Sequence, residues 1–170
     1  MRLNVKINTD LFNKSLKNYE RSLPKSIKPA LEKVGLRIIK DVITQPPKAP
    51  ILDGFLTAAF TVSVTGEATI SPLPLPKGGE TGEKTKKTLD LDMVAPVDVS
   101  AMKKYELRIG NSMKYAARLH ENPFTPGEWS DRRGGVGYKF ISSKLYANGI
   151  TYRDLLAKFI EQELGGKIYK

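Results

Sequence analysis

The only histidine of the chain, His120, stands beside Glu121, a pairing able to move a proton. Base catalysis also needs a nucleophile or acid held against the base. The sequence has no GxSxG elbow and no clustered carboxylates around the pair. His120 therefore reads better as a capping or interface residue than as a general base. Asp90 and Asp92 lie two apart in an alternating run and share one strand face. A two-metal nuclease would require a further carboxylate converging on them, and none is identifiable. One histidine and no cysteine exclude HExxH and thiolate zinc sites, disulfides and a cysteine nucleophile. The expectation is a protein that is not an enzyme, with no catalytic residue, metal or cofactor.

The glycine cluster Arg132-Arg133-Gly134-Gly135-Val136-Gly137 could cradle a phosphate, yet it lacks the GxxxxGK[ST] order and follows no strand. It reads as a mobile basic loop. Arg132 and Arg133, together with Lys84, Lys86 and Lys87, are the candidates for contact with DNA or an acidic partner. The 28 Lys and Arg outnumber 18 Asp and Glu, a formal net charge of +10. Residues 1–48 hold 11 basic and 4 acidic side chains, and residues 132–170 hold 8 and 3. Residues 49–131 hold 9 and 11, so both ends are basic around a slightly acidic middle. This suits a phosphate backbone or an acidic neighbour, and equally a lysine-rich solvated surface.

At 170 residues the chain reads as one domain spanning 1–170. No apolar run reaches the ~18 residues of a membrane span, and the N-terminus does not read as a signal peptide, so a soluble intracellular protein without membrane contact is expected. Leu3–Ile7 alternates like a strand. Leu11, Phe12, Leu16, Tyr19 and Leu23 share a helical face that Pro24 should interrupt, with a second helix opening near Ser26 so that Pro29 falls in its first turn. Ile27, Leu31, Val34, Ile38 and Val42 form one stripe of that longer helix. Leu36, Ile39 and Ile43 form a second stripe, open to a neighbouring subunit. From Phe55 the pattern turns to strand, with strict alternation over Phe60–Thr65 and a short return at Ala68–Ile70. A proline-, glycine- and charge-rich arm covers about 72–88. Leu89–Val94 and Tyr105–Ile109 are further strands. Met113–Leu119 fits a short helix, and about 122–137 is a second loop. Another short helix at Phe140–Tyr146 closes at Asn148-Gly149, and a final one opens on Thr151 and ends at Gly165-Gly166. The fold class is α+β: N-terminal helices including one long amphipathic helix, a small antiparallel sheet with a long loop, and short C-terminal helices.

Three stretches carry a resemblance. Ala49-Pro50-Ile51-Leu52-Asp53-Gly54-Phe55-Leu56 resembles the AP-x-D-T-G-x-L signature of the head–tail joining, tail-completion family of long-tailed bacteriophages. That family includes minor capsid proteins and proteins similar to the lambda tail protein Z. Ile109-Gly110-Asn111 with Tyr115-Ala116-Ala117-Arg118-Leu119-His120-Glu121 is similar to its VGN…YA-x-x-x-HE segment. Gly135-Val136-Gly137-Tyr138-Lys139-Phe140-Ile141 with Leu145 resembles its GG-x-KFL…AL segment. Asp53 stands where the family has threonine, and Leu52 where it has aspartate. The resemblance implies a virion protein of the neck, assembled in the host cytoplasm. Its partners would be itself as a ring (a hexamer is favoured), the head connector or adaptor, the tail tube or tail terminator, and DNA passing through the channel. A tail terminator or a basic DNA-binding packaging protein is the alternative. The residues implied at interfaces or in the family motif are Pro50, Asp53, Gly54, Leu56, Tyr115, Ala116, His120, Glu121, Lys139 and Phe140, with Met113 beside them.

Overall fold

The computed structural model describes residues 10–51, 54–64, 67–70 and 104–168. Helix α1 runs Asp10–Thr44 without a break, with Pro24 and Pro29 inside it. Two helices were expected there, because each proline removes a backbone hydrogen bond. Just past Pro24 the buried Ser26 hydroxyl donates to the Ser22 carbonyl at 3.1 Å. Beyond it the helix buries Ala30, Leu31, Val34, Ile38, Ile39 and Val42, so packing outweighs the local defect. The first apolar stripe lies in the core as expected. The second does not stay open for a neighbour: Ile39 is fully buried and Ile43 packs against the same core, while Leu36 sits at the surface.

Residues 55–58 form a short helix, α2 (Phe55–Ala58), where strand was expected. Its start is set by Gly54, at φ 77°, a left-handed conformation that glycine adopts without a Cβ penalty. Strand β1 (Phe60–Val64) is central in an antiparallel sheet of order β2-β1-β3, with β2 at Glu67–Ile70 and β3 at Leu107–Asn111. Val62 pairs with Thr69 on one side and Ile109 on the other. All five β1 residues are buried, so alternation did not mark a half-exposed strand; a central strand covered on both faces buries Thr61 and Ser63 too. Strand β3 starts two residues later than its sequence pattern because Tyr105, at φ 62°, interrupts the extended backbone.

Helix α1 lies close on β1 at Gly35, where a Cβ would come within 2.6 Å of Val62 Cγ1. Two short helices follow β3: α3 (Ala116–Glu121), and α4 (Glu128–Arg132) inside the expected loop. The last element, α5, is one helix over Ser142–Ile168. Asn148-Gly149 does not divide it, Thr151 does not open a new helix, and Gly165-Gly166 does not end it. A helix-interior glycine costs about 1 kcal/mol, less than the packing of the flanking turns returns. Helix α5 runs antiparallel to α1, since Tyr152 reaches Asp41 while Glu163 pairs with Lys33 at 2.7 Å. The core gathers Leu31, Val34, Ile38, Phe60, Val62, Phe140 and Tyr152, with Phe60 edge-on to Phe140 at 6.2 Å between centroids. The fold is therefore α+β. No helix among the described residues is long and apolar enough to cross a membrane. The strand expected at 3–7, the arm at 72–88 with Lys84, Lys86 and Lys87, and the strand at 89–94 lie outside the described residues, as does Asp53.

Candidate functional site

The polypeptide leaves α1 through a Pro46–Pro47 turn and is met there by the glycine cluster. Lys48 forms a parallel bridge with Val136: its N–H donates to the Gly135 carbonyl at 2.7 Å, and Gly137 donates back to its carbonyl at 3.1 Å. Gly135 is at φ 68°, and a Cβ there would stand 2.8 Å from Pro46 Cγ. Only glycine fits that approach. Three side chains tighten the joint. Lys48 Nζ donates to the Arg133 carbonyl at 3.0 Å. Arg133 Nη2 donates to the Ile43 carbonyl, at the end of α1, at 2.7 Å. Ser130 Oγ accepts from the Ile51 N–H at 3.0 Å and donates to the Ile51 carbonyl at 2.9 Å.

This corrects the reading of 132–137 as a mobile basic loop. Arg133 is committed to the end of α1, where a cation meets unsatisfied carbonyls, and burial pushes its guanidinium below the usual range. It is not a free contact for DNA. Arg132 keeps an exposed side chain, ion-paired one helical turn back with Glu128.

Beneath the turn lies a polar cluster that the sequence reading did not single out. Lys144, 2% exposed, donates to the Pro46 carbonyl at 2.7 Å and the Pro47 carbonyl at 3.1 Å. Asp41, 4% exposed, accepts from the Tyr152 hydroxyl and from Gln45 Nε2 at 3.0 Å each, and from Arg37 Nε at 3.2 Å. Burial lowers the Lys144 ammonium from its ordinary range, and the charge of Asp41 partly restores it. Burial raises the Tyr152 phenol, and the hydrogen bond to Asp41 adds to the rise. One signal was available in the sequence: Asp41 falls seven residues after Val34 and three after Ile38, a charge at a core position of the α1 stripe.

The second family-like segment sits at the other side of this joint. His120 Nε2 accepts the Ser142 N–H at the start of α5 at 3.3 Å, and Nδ1 donates to Glu121 at 2.7 Å. Its ring meets Phe140 edge-on at 5.0 Å, and its carbonyl accepts from the Lys139 N–H. Lys139, at φ 56°, also pairs with Glu121 through its side chain. His120 thus caps α5, as one of its two sequence readings held. Both ring nitrogens are thus engaged within the fold. Leu56, Met113 and Ala116 form a small buried cluster flanked by Phe55, Tyr115 and Leu119, and Pro50 is buried beside Ala49. Buried residues cannot meet a neighbouring subunit, so Pro50, Leu56, Met113, Ala116 and Phe140 belong to the interior. Glu121 and Lys139 keep exposed side chains, and Tyr115 is half-buried.

Among the described residues no group of three or more His, Asp or Glu side chains could hold a metal ion. The arrangement can clamp backbone segments together: Lys48, Arg133, Lys144 and Ser130 are used on the chain's own carbonyls and amides, and Asp41 on the side chains of Tyr152, Gln45 and Arg37. In comparison with known proteins, no family model, no curated protein and no solved structure matches the chain.

Proposed function

We propose that the chain is a non-enzymatic structural subunit of the phage neck, a ring-forming tail-completion or head–tail joining protein. The observation that supports this reading is convergence. The three family-like segments, separated in sequence, are linked in the fold: Asn111 of the second donates to the Leu56 carbonyl of the first, Leu56 packs with Ala116, and His120 of the second accepts from the Lys139 N–H and lies edge-on to Phe140 of the third. Segments that tie α2, α3 and the start of α5 together, beside the clamp at the end of α1, hold a rigid shape, which is what a mechanical connector needs. In this reading the subunits stand in a ring around the DNA passage, one rim on the head connector and the other on the tail. The basic ends meet an acidic rim, where charge complementarity steers docking and fixes orientation.

Labelling tests the assignment. A tagged copy carried into particles and marked with gold should decorate the junction between head and tail. Label over the capsid shell, or particles that lack the protein, would contradict it. The DNA-binding alternative predicts an affinity that falls steeply with salt; the engagement of Arg133 within the fold leaves it less support.

A further inference from the structure

The backbone N–H groups at the start of a helix have no partner within the helix. At α5 one of them is met by a side chain that can change charge. The Ser143 N–H donates to the Lys139 carbonyl at 2.9 Å, and the Lys144 N–H to the Ile141 carbonyl at 3.0 Å. The Ser142 N–H donates instead to His120 Nε2 at 3.3 Å. An imidazole nitrogen accepts through a lone pair, so Nε2 carries no proton here. The ring proton is then on Nδ1, where Glu121 accepts it at 2.7 Å. The imidazole is 15% exposed and held edge-on against Phe140 at 5.0 Å.

We infer that His120 is a pH-dependent latch on the first turn of α5, closed when the imidazole is neutral and released when it is protonated. The two ends of the ring respond differently. Nδ1 bears a proton in both states, so the bond to Glu121 is kept and gains charge. Nε2 turns from acceptor to donor and faces the Ser142 N–H, another donor, at the positive end of the α5 dipole. The cap on Ser142 is lost while the histidine stays tethered. The adjoining turn favours release, because Lys139 is held there at φ 56°, a left-handed conformation unfavourable for lysine. The charged groups that meet the ring are Glu121 of its own helix and, through Glu121, Lys139 of the turn leading into α5. From α5 it meets the Ser142 amide, and from the turn the Phe140 ring, neither of which titrates. Hydrogen bonds from Lys139 and His120 hold the Glu121 carboxyl below its usual range, so it stays ionised while an imidazole titrates. Histidine is the side chain whose ordinary charge change falls between about pH 5 and 8. The chain has one, and it sits at the latch. The device does not depend on the neck reading.

The test is nuclear magnetic resonance on the full chain carrying nitrogen-15 histidine, whose single imidazole assigns itself. Near pH 8, Nε2 should resonate as a bare nitrogen and Nδ1 as a protonated one. As the pH falls to about 5, the protection of the Ser142 amide against hydrogen exchange should drop about five- to tenfold, the loss expected of an N-cap. Its midpoint should match that of the imidazole. The amides of β1 should keep their protection over the same range. So should Ser142 in His120→Gln, whose side-chain oxygen accepts at every pH. A protonated Nε2 near pH 8 overturns the proposal, as does Ser142 protection that ignores the titration. So does an equal loss of protection in β1, which marks general unfolding, or an unchanged pH response in His120→Gln.

Discussion

Asp41 and Tyr152 bring a carboxylate and a phenol together between the two long helices, in a site only 4–6% exposed. A hydrogen bond to a buried charge contributes about 1.5–3 kcal/mol. Tyr152→Phe should therefore lower stability by about 1–2 kcal/mol in urea unfolding at neutral pH, since Gln45 and Arg37 still serve Asp41. The pH dependence has a defined sign. The folded phenol is raised, so above about pH 10 the unfolded chain sheds the proton first and stability falls as pH climbs. Lys144, lowered by burial, acts in the opposite sense, because there the unfolded chain holds the proton longer. The Tyr152 part is read as the difference between wild type and Tyr152→Phe, which should narrow above pH 10. The adjacent arginines make a second comparison. Arg132→Ala removes an exposed pair and should change stability by no more than about 0.5 kcal/mol. Arg133→Ala uncaps the Ile43 carbonyl and should cost about 1–3 kcal/mol. Equal costs would contradict the placement of Arg133.

At the scale of elements, glycine substitutions report on packing. Gly35→Ala improves helix propensity, yet its Cβ meets Val62 of a buried strand at 2.6 Å. Overpacking of this kind costs about 1–3 kcal/mol, so thermal unfolding should show a lower Tm for Gly35→Ala. Gly149→Ala, with open space around it, should move Tm the other way. Much of the fold was legible in local pattern: the spacing of Ile27, Leu31, Val34, Ile38 and Val42, the alternation of Phe60–Val64, and the turn at Gly54. What misled were punctuation residues. Pro24, Asn148 and Gly149 carry real local costs, but the decision between one helix and two was made by contacts over a hundred residues away, such as Lys33 with Glu163. The clamp at Pro46–Pro47 was hidden for a related reason. Lys144 reads as one lysine among many until the fold brings it beneath two carbonyls ninety-seven and ninety-eight residues away.

For the whole molecule, the described elements form a body in which α1 and α5 lie antiparallel and the sheet packs against α1. Most polar groups of the joint between them are paired from within, Arg133 Nη1 being a buried exception, and the features left over are surface ones: an apolar face on α5 and a net charge of +10. In the neck reading, removing the chain stops assembly at the point where head meets tail and leaves earlier steps untouched. The direct measurement is electron microscopy of a lysate from the parent phage with this gene deleted. Filled heads lying apart from finished tails, restored to joined particles by the wild-type chain in trans, are the predicted result; normal infectious particles would contradict the account.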